Sequence, residues 1–325
     1  MRHHPFQEIF VELNAARKII FVAHQGPDAD ALCSIFAWSY AAEQMGKAAI
    51  SFCKDPVPAT LEFLPGMERL TTDPAVFSAD VDLIVVCDAG DLGYAGIEEE
   101  VKHCPRARIL NIDHHATNTR FGHVNLVMTE ASSTTAVLHQ LFTFHHLPIT
   151  KAMATNLLVG ILYDTGNFSN AATTLYAYEA ASDLLKRGAS IPFLVQHMVR
   201  NKNLRLLRLW GRALSRLRRD PRTGFATTAI FYRDFTECGV TEQSFEGLPN
   251  FLNSLNGVSA VMVLKENGNG MVKGSLRTTG YEIDVSKIAQ QYGGNGHRRA
   301  AGFVAAGTIV ERPEGWEICS PSSTV

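Results

Sequence analysis

Acidic residues and histidines stand directly after several apolar segments of this chain. Such a set of carboxylates and imidazoles suits Mn²⁺ or a similar divalent cation better than a metal that needs thiolates. Two cations about 4 Å apart could share one carboxylate and activate a water molecule, which is how many enzymes hydrolyse phosphate esters. In chain order, the residues are His24, Asp28, Asp30, Asp88, Asp113, His114, His115 and Asp164.

Each of these residues also has a structural interpretation. Asp28 or Asp30 could cap a following helix, as Asp commonly does, and a single histidine is more often structural than a ligand. His114 and His115 are adjacent in "NIDHHATN", and neighbouring side chains on a strand point in different directions, so the two cannot easily hold one ion. The joint occurrence favours a metal site, because clustered carboxylates repel one another unless cations lie among them.

The apolar segments that precede these residues predict strands. They are continuous rather than alternating, which is typical of strands buried on both faces of a parallel sheet. Residues 30–46 between them have helical composition and stop at a glycine. Ligands of an open parallel sheet bind beyond the carboxyl ends of its strands, where most of the polar residues fall. The predicted strands cover residues 18–24, 48–53, 81–89 and 107–113.

The remainder of the chain is first helical and then mixed. Helices are predicted at 132–146, 150–163, 174–188 and 192–218, strands at 224–232, 258–266 and 270–278, and a helix at 284–294. Ser132 or Ser133 is expected to cap the first of these helices, whose N-terminus could also hold a phosphate. The fold class is therefore α/β: an N-terminal domain (1–190) with a mostly parallel sheet flanked by helices, a helical connector (191–222), a smaller α+β domain (223–315) and a loose tail (316–325).

The connector contains two stripes with helical spacing. One stripe is apolar, and we expect it to pack against the protein. The other is basic, and a solvated face is its ordinary explanation, with packing against an acidic surface as the alternative. The apolar stripe is Leu207, Trp210, Leu214 and Leu217, and the basic stripe is Arg205, Arg208, Arg212, Arg216 and Arg219.

Composition narrows the functional classes. The chain has 325 residues, 46% hydrophobic and 19% charged, with a net charge of −2, so its overall charge does not suggest a duplex-DNA binder. Its six cysteines form no C-x-x-C pair, which favours buried free thiols in a reducing compartment.

We expect a cytoplasmic protein, because the N-terminus lacks a signal-peptide core and no apolar run approaches the length of a membrane helix. The oligomeric state is left open, a homodimer included.

Four of the segments resemble, in order, the core motifs of the DHH phosphoesterases: "HQGPDAD", "VVCDAGD", "NIDHHATN" and "GILYDTGNF". Near the C-terminus, "KGSLRT" and "GGNGHRRAAGF" resemble the associated DHHA1 domain. The resemblance covers most of the chain and makes 1–190 the DHH domain and 223–315 the DHHA1 domain. The chain is most similar to the stand-alone nanoRNases and phosphoadenosine-phosphate phosphatases, which are related to the exonuclease RecJ.

The resemblance implies a role for each acidic residue and histidine. His115 would face the substrate phosphate, Asp113 would orient a histidine by a hydrogen bond, and both would act in catalysis together with Asp88. Two divalent cations, most often Mn²⁺, are implied. Their ligands would be His24 and Asp28 for one cation, Asp30, His114 and Asp164 for the other, and Asp88 as the bridge between them.

The DHHA1-like segments imply residues that grip the far end of a nucleotide. They are Ser275, Arg277, Gly294, Gly296 and His297. The glycines allow a backbone to approach a ligand closely, although a helix stop and a tight turn explain them equally well. Related proteins usually read Gly-Gly-Gly-His, whereas Asn295 interrupts the glycines here; Asn is the least harmful replacement if that position needs a positive φ.

The implied function is a Mn²⁺-dependent phosphoesterase that hydrolyses very short oligonucleotides, such as nanoRNA and linear dinucleotides, to 5′-mononucleotides. A cleft between the two domains would limit substrate length. Removal of the 3′-phosphate of 3′-phosphoadenosine 5′-phosphate is a second implied activity. The partner would be a short single-stranded RNA or DNA, or a phosphorylated nucleotide. The alternatives are a cyclic-dinucleotide phosphodiesterase, a pyrophosphatase or polyphosphatase, and a non-catalytic nucleotide sensor.

Overall fold

The computed structural model describes residues 5–199, 203–241, 245, 247–280, 282–313 and 315–319, without the side chains of Val199 and His297. The chain divides into two compact units, Met1–Asn201 and Lys202–Val325. Within the described residues, no helix is long and apolar enough to cross a membrane. The six cysteines are free thiols, and all except Cys319 are buried, as the absence of paired cysteine motifs predicts.

The first unit is built on a six-stranded sheet whose paired strands are all parallel. This confirms the fold class predicted from the apolar runs. The spatial order is β3-β2-β1-β4-β5-β6, so the direction of strand addition reverses between β1 and β4, and a crevice for ligands forms at such a point. The strands are β1 (Lys18–Val22), β2 (Ala48–Phe52), β3 (Leu70–Thr71), β4 (Leu83–Cys87), β5 (Arg108–Asp113) and β6 (Val124–Val127).

Helices and short turns cover both faces of this sheet. Alternate residues of β1 enter two separate cores: Ile19 and Phe21 pack in one, and Ile20 and Val22 pack in the other. Both faces are therefore apolar, which is why the strands show no alternation in sequence. The helices are α1 (Pro5–Ala15), α2 (Ala29–Gln44), α3 (Leu92–Ala95), α4 (Thr134–Phe144), α5 (Lys151–Asp164), α6 (Leu175–Lys186) and α7 (Ile191–Leu194), followed by a π-helical turn at Val195–Val199.

The second unit holds a mixed sheet in the order β11-β12-β10-β9-β8-β7 and a separate hairpin, β13-β14. Only β8 and β9 pair in parallel among its described strands. The strands are β7 (Arg218–Arg219), β8 (Phe225–Ile230), β9 (Ala260–Glu266), β10 (Met271–Arg277), β11 (Asn295–His297), β12 (Ala300–Ala306), β13 (Thr308–Arg312) and β14 (Gly315–Cys319), and the helices are α8 (Leu204–Ser215), α9 (Tyr232–Cys238), α10 (Leu248–Leu252) and α11 (Val285–Gln291).

The loose tail expected from residue 316 onward is wrong for residues 316–319. These residues lie in β14 and pair with β13. Trp316 is buried, and its Nε1 donates a hydrogen bond to the carbonyl oxygen of Arg216 at 2.7 Å. An aromatic anchor with a satisfied polar atom fixes this segment. Residues 320–325 of the expected tail lie outside the described residues.

The expected helical connector is also corrected. Its residues belong to both units, and α8 is part of the core of the second unit rather than a free linker. The buried stripe of α8 is Leu206, Leu209, Trp210 and Ala213, whereas Leu207 and Leu214 are exposed. Leucines occur on two faces of this helix, so the sequence pattern alone does not select the face that packs on β8 and α9.

Two arginines of the basic stripe meet a buried acid instead of solvent. Asp234 accepts hydrogen bonds from Arg212 Nη1 at 3.0 Å, from Arg216 Nη2 at 3.0 Å and from the Phe231 amide at 2.9 Å. The alternative interpretation of the stripe, packing against an acidic surface, therefore holds for Arg212 and Arg216. Because Asp234 has no exposed surface, these contacts must replace the water that its carboxylate loses on folding.

We predict that Asp234→Ala destabilises the second unit by about 3 kcal/mol, because it leaves the Arg216 charge without its buried partner. Hydrogen–deuterium exchange of peptides from β8 and α9 in the full chain measures the effect. Glu237→Ala is the matched control, since it removes only the exposed partner of Arg212 and should cost less than about 1 kcal/mol. Equal protection from exchange in the two variants would show that Asp234 contributes no more to the stability of the second unit than the exposed Glu237 does.

The same contact predicts a pH dependence. Burial disfavours the charged form of Asp234, but hydrogen bonds from Arg216 and the Phe231 amide outweigh it and hold the pKa of this carboxyl below its usual range. The stabilisation is therefore complete above the unfolded pKa of about 4 and is lost as the pH falls through the folded pKa. The stability difference between the wild type and Asp234→Asn should shrink in acid, below about pH 4.

Candidate metal centre and active site

The structure brings the predicted acids and histidines of the first unit together at the carboxyl ends of its strands. His24 follows β1, Asp88 follows β4, and Asp113 ends β5. The strands β1 and β4 are the neighbours at which strand order reverses. Asp28 and Asp30 come from the start of α2, and Asp164 is the last residue of α5. Asp91, which follows Asp88 closely, instead caps α3 through a 2.7 Å hydrogen bond to the Tyr94 amide.

His24, Asp28 and Asp88 form one group with ligand geometry. One candidate ligand atom from each lies within 4.8 Å of the others. His24 Nε2 is 3.7 Å from Asp28 Oδ1 and 3.8 Å from Asp88 Oδ2. His24 Nδ1 lies 2.8 Å from the Gln25 carbonyl oxygen, which can only accept, so Nδ1 carries a proton. Nε2 faces the two carboxylates and would give up its own proton to ligate a cation.

Asp30, His114 and Asp164 form a second group with the same spacing. His114 Nε2 lies 3.2 Å from Asp164 Oδ2 and 3.6 Å from Asp88 Oδ1. Within the described residues this buried nitrogen has no hydrogen-bond partner of acceptable geometry. An orphaned buried imidazole nitrogen among carboxylates fits a cation at this position, because a cation would supply the missing partner.

Asp88 lies between the two groups. Its two oxygens face His24 and His114 separately, and it also receives a hydrogen bond from Thr134 Oγ1 at 2.9 Å. Its backbone has a positive φ of 60°, a conformation that Asp and Asn tolerate better than most residues. Backbone strain of this kind persists where the surrounding structure enforces it, and it is common at functional sites.

The N-terminus of α4 holds Asp30 rather than an open anion site. Asp30 Oδ2 accepts from the Thr134 amide at 2.6 Å, and Asp30 Oδ1 accepts from the Thr135 amide at 3.0 Å and from Thr135 Oγ1 at 2.6 Å. Ser133 caps the helix through the Ala136 amide, as expected. The positive end of the helix therefore stabilises the buried carboxylate of Asp30, a candidate ligand, and the Thr134 and Thr135 amides are already engaged.

Gly160 makes room for this contact from the opposite helix. A Cβ at this position of α5 would lie 2.4 Å from Thr135 Oγ1 and 2.5 Å from Asp30 Oδ1. Glycine is otherwise unfavourable within a helix, by about 1 kcal/mol relative to alanine. Neither Gly160 nor the two threonines could be assigned from the sequence, because Asp30 and Thr134 are separated by more than a hundred residues.

His114 and His115 occur together in a further candidate ligand group with Asp88 and Asp113, and His114 also belongs to the second group. His115 Nδ1 donates a hydrogen bond to Asp113 Oδ1 at 2.8 Å, so the division of roles between the two histidines stays a prediction. Asn118 Nδ2 donates to Asp113 Oδ2 at 2.6 Å and to Asn111 Oδ1 at 2.8 Å. The buried Asp113 is thus fixed from several sides, and through it the orientation of the His115 ring.

The clustered carboxylates of the centre need compensating positive charge. Burial, and then neighbouring carboxylates, raise the pKa of Asp30 to about 7, of Asp88 to about 6 and of Asp164 to about 7. Burial opposes protonation of His24 and His114, yet the facing carboxylates raise their pKa values to about 9 and about 10. Protons compensate the clustered charge here, and divalent cations would do so with far better geometry.

The second unit carries the other predicted residues. Ser275 and Arg277 lie on β10, and Arg277 Nε donates to Asn250 Oδ1 at 3.0 Å. Gly296 has a φ of 145°, and a Cβ there would lie 2.5 Å from Ala301 Cα. A Cβ on Gly294 would meet the Gly302 carbonyl oxygen at 2.2 Å. Close packing on β12 therefore already requires both glycines.

Asn295 interrupts the glycine-rich segment. Asn295 lies in β11 without a positive φ, and its side chain accepts a hydrogen bond from the Gly296 amide. The substitution within the glycine run therefore causes no backbone strain at that position. The side chain of His297 lies outside the described residues.

Two family models match this chain. Residues 18–161 match the DHH family, N-terminal domain, and residues 226–312 match the DHHA1 domain. The chain belongs to the DHH family and is a hydrolase, as the four motifs predict.

Individual relatives are similar to this chain over different lengths. It is 32% identical to a protein of Thermus thermophilus named bifunctional oligoribonuclease and PAP phosphatase NrnA, over 92% of this chain and 88% of the relative. It is 29% identical to the cyclic-di-AMP phosphodiesterase GdpP of Geobacillus thermodenitrificans, over 58% of this chain and 28% of that protein. An exopolyphosphatase-related protein from Bacteroides fragilis shares the fold, with a TM-score of 0.85 at 23% identity, covering 92% of this chain and 90% of that one.

We predict that Gly160→Ala weakens metal binding about tenfold or more by displacing Asp30, as loss of a supporting contact around a ligand typically does. Titration calorimetry with Mn²⁺ measures the affinity. Gly211→Ala is the matched control: it is also a glycine-to-alanine change within a helix, but nothing lies within 4 Å of the added Cβ. Unchanged Mn²⁺ affinity in Gly160→Ala would contradict the role given to this glycine.

Proposed function

We propose that the protein is a phosphoesterase that uses two divalent cations, Mn²⁺ by preference, to hydrolyse very short oligonucleotides to 5′-mononucleotides. The proposal includes removal of the 3′-phosphate from 3′-phosphoadenosine 5′-phosphate. The observation that carries it is the pair of ligand groups on either side of Asp88. The name of the Thermus thermophilus relative, which joins both activities, supports the choice of substrates.

In this proposal the ligands divide as the two groups do. His24 and Asp28 would hold one cation, Asp30, His114 and Asp164 would hold the other, and Asp88 would be shared between them. Cations held there would supply Lewis acidity and would lower the pKa of a coordinated water to near neutrality. The donor set of carboxylate oxygens and imidazole nitrogens, without any thiolate, suits Mn²⁺.

His115 is proposed to bind the phosphate rather than a cation. Its Nδ1 donates a hydrogen bond to Asp113 Oδ1, which orients the ring, and in this proposal Nε2 is the atom that contacts the phosphate. Burial opposes the charged ring, but the hydrogen bond to Asp113 outweighs it and raises the pKa of His115. A protonated ring, held in one orientation by Asp113, donates a charge-assisted hydrogen bond to a phosphoryl oxygen and stabilises the charge that develops there.

The second unit is proposed to bind the part of the nucleotide remote from the reacting phosphate. Ser275 and Arg277 alternate with the buried Gly274 and Leu276 along β10, so they share its other face. The guanidinium of Arg277 suits a phosphate or a carboxylate. We assign Gly294, Gly296 and His297 to the same substrate-binding surface on the family motif.

A second candidate substrate is a cyclic dinucleotide. The similarity to a cyclic-di-AMP phosphodiesterase favours it, although that similarity covers 58% of this chain. The discriminating experiment is one panel of substrates with Mn²⁺: a 2-mer, a 5-mer, a 24-mer, 3′-phosphoadenosine 5′-phosphate, a cyclic dinucleotide and pyrophosphate. Greatest kcat/KM on the 2-mer is the expected result. Preference for the cyclic compound or for pyrophosphate would replace the proposed substrate class.

We predict that Asp88→Asn lowers turnover of the 2-mer by at least about 100-fold, because the amide cannot serve as an anionic ligand to two cations. Asn is the informative replacement, since it keeps the shape of Asp and tolerates the positive φ at this position. Mn²⁺ binding should weaken at the same time. Near-normal turnover with Mn²⁺ supplied would contradict the two-cation proposal.

We predict that Arg277→Ala raises KM for the 2-mer by about tenfold, since a charge-assisted contact contributes roughly 1.5 kcal/mol, and leaves Mn²⁺ affinity unchanged. Steady-state kinetics on the full chain provide the measurement. Arg218→Ala is the matched control, because Arg218 is an exposed arginine at the edge strand of the same sheet, paired with Glu311. An unchanged KM in Arg277→Ala would remove β10 from the substrate-binding surface.

A further inference from the structure

Tyr94 is an exposed aromatic residue in direct contact with the candidate metal centre. Its ring lies against the ring of His24, with centroids 4.8 Å apart and an interplanar angle of 27°. Its neighbours Ala95 and Ile97 are buried in one of the two cores of the first unit, whereas Tyr94 is 52% exposed. Packing of the core therefore does not explain why an aromatic ring stands here.

The backbone of Tyr94 is fixed on both sides. Its amide donates to Asp91 Oδ1 at 2.7 Å, and its carbonyl oxygen accepts from the Gln25 amide at 3.0 Å. Gln25 Nε2 also donates to the Gly93 carbonyl oxygen at 2.7 Å. These bonds join the loop after β4, which carries Asp88, to the loop after β1, which carries His24. They therefore fix the position of the Tyr94 backbone relative to both loops.

Tyr94 presents an uncharged aromatic surface at the edge of a cluster of acids, because an ordinary phenol is neutral near pH 7. Such a surface does not repel an anionic substrate, and it offers a stacking partner to any planar ring that is attached to the reacting phosphate.

We propose that Tyr94 is a substrate-binding residue whose ring stacks on the nucleobase of a nucleotide joined to the scissile phosphate. This inference rests on the proposed function and deepens it. A nucleobase is connected to its phosphate through a single sugar, so a phosphate held beside His24 brings a base within reach of the ring next to it. Stacking suits every base, because each has a π-face, and it gives an advantage to nucleotides over pyrophosphate or polyphosphate, which have no ring.

The experiment compares Tyr94→Ala with the wild type on three 2-mers: the intact dinucleotide and two abasic analogues, each lacking the base on one side of the scissile phosphate. For the intact 2-mer, kcat/KM should fall about tenfold in the variant, the size of effect that base stacking gives on alanine substitution. For one of the two abasic analogues, variant and wild type should agree within about twofold. Tyr94→Phe, which keeps the ring, should retain most of the activity on the intact substrate.

Several outcomes would overturn the inference. One is an equal loss of kcat/KM on all three substrates, which is expected if Tyr94 merely positions His24. Another is a Phe variant with kcat/KM as low as that of the Ala variant, which would assign the effect to the hydroxyl. The third is the absence of any loss of kcat/KM in Tyr94→Ala. Phe144→Ala is the matched control, because Phe144 is an exposed aromatic at the far end of α4 from the residues that hold Asp30. Failure of the wild type to hydrolyse the intact 2-mer would instead contradict the proposed function itself.

Discussion

Mutual repulsion among buried carboxylates is the constraint on which the first unit depends. Asp28 and Asp88 present oxygens within 4.8 Å of each other, and so do Asp30 and Asp164. Two like charges about 4 Å apart repel by roughly 4 kcal/mol at the effective dielectric near a protein surface. A folded chain tolerates such pairs only where the surrounding structure fixes them and where counter-charge is available. The fold around this centre fixes the carboxylates through several hydrogen bonds.

The scaffold fixes the acids through contacts that are distant in sequence. The N-terminus of α4 holds Asp30, Thr134 holds Asp88, and a missing side chain at Gly160 leaves space for both the carboxylate and Thr135. The helix dipole and the amide donors stabilise the charged form of Asp30, in opposition to burial. The parallel sheet contributes the geometry, because the strand ends at the point of reversed order face the same crevice.

The sequence predicts which acids and histidines come together, but it predicts their supports poorly, for a physical reason. The position of these residues is set locally: an acid or histidine directly after a buried apolar run lies at a strand end whatever the rest of the chain does. The supports are not local, since Thr134 and Gly160 acquire their roles only when α4 and α5 meet α2. The apolar stripe predicted for α8 is wrong at Leu207 and Leu214 for a related reason. Its leucines allow two packing faces, and the neighbouring strand and Asp234 decide between them.

Metal binding and folding of the first unit are therefore expected to be coupled. The candidate ligands come from three strand ends and two helices and converge only in the folded chain, so the free energy of cation binding would add to the stability of that fold. The same argument explains why a glycine occurs in α5 although alanine is the better helix former. A residue that weakens its own helix is favoured where it lets a ligand carboxylate lie against a helix N-terminus, because the loss is local and the gain extends to the whole metal centre.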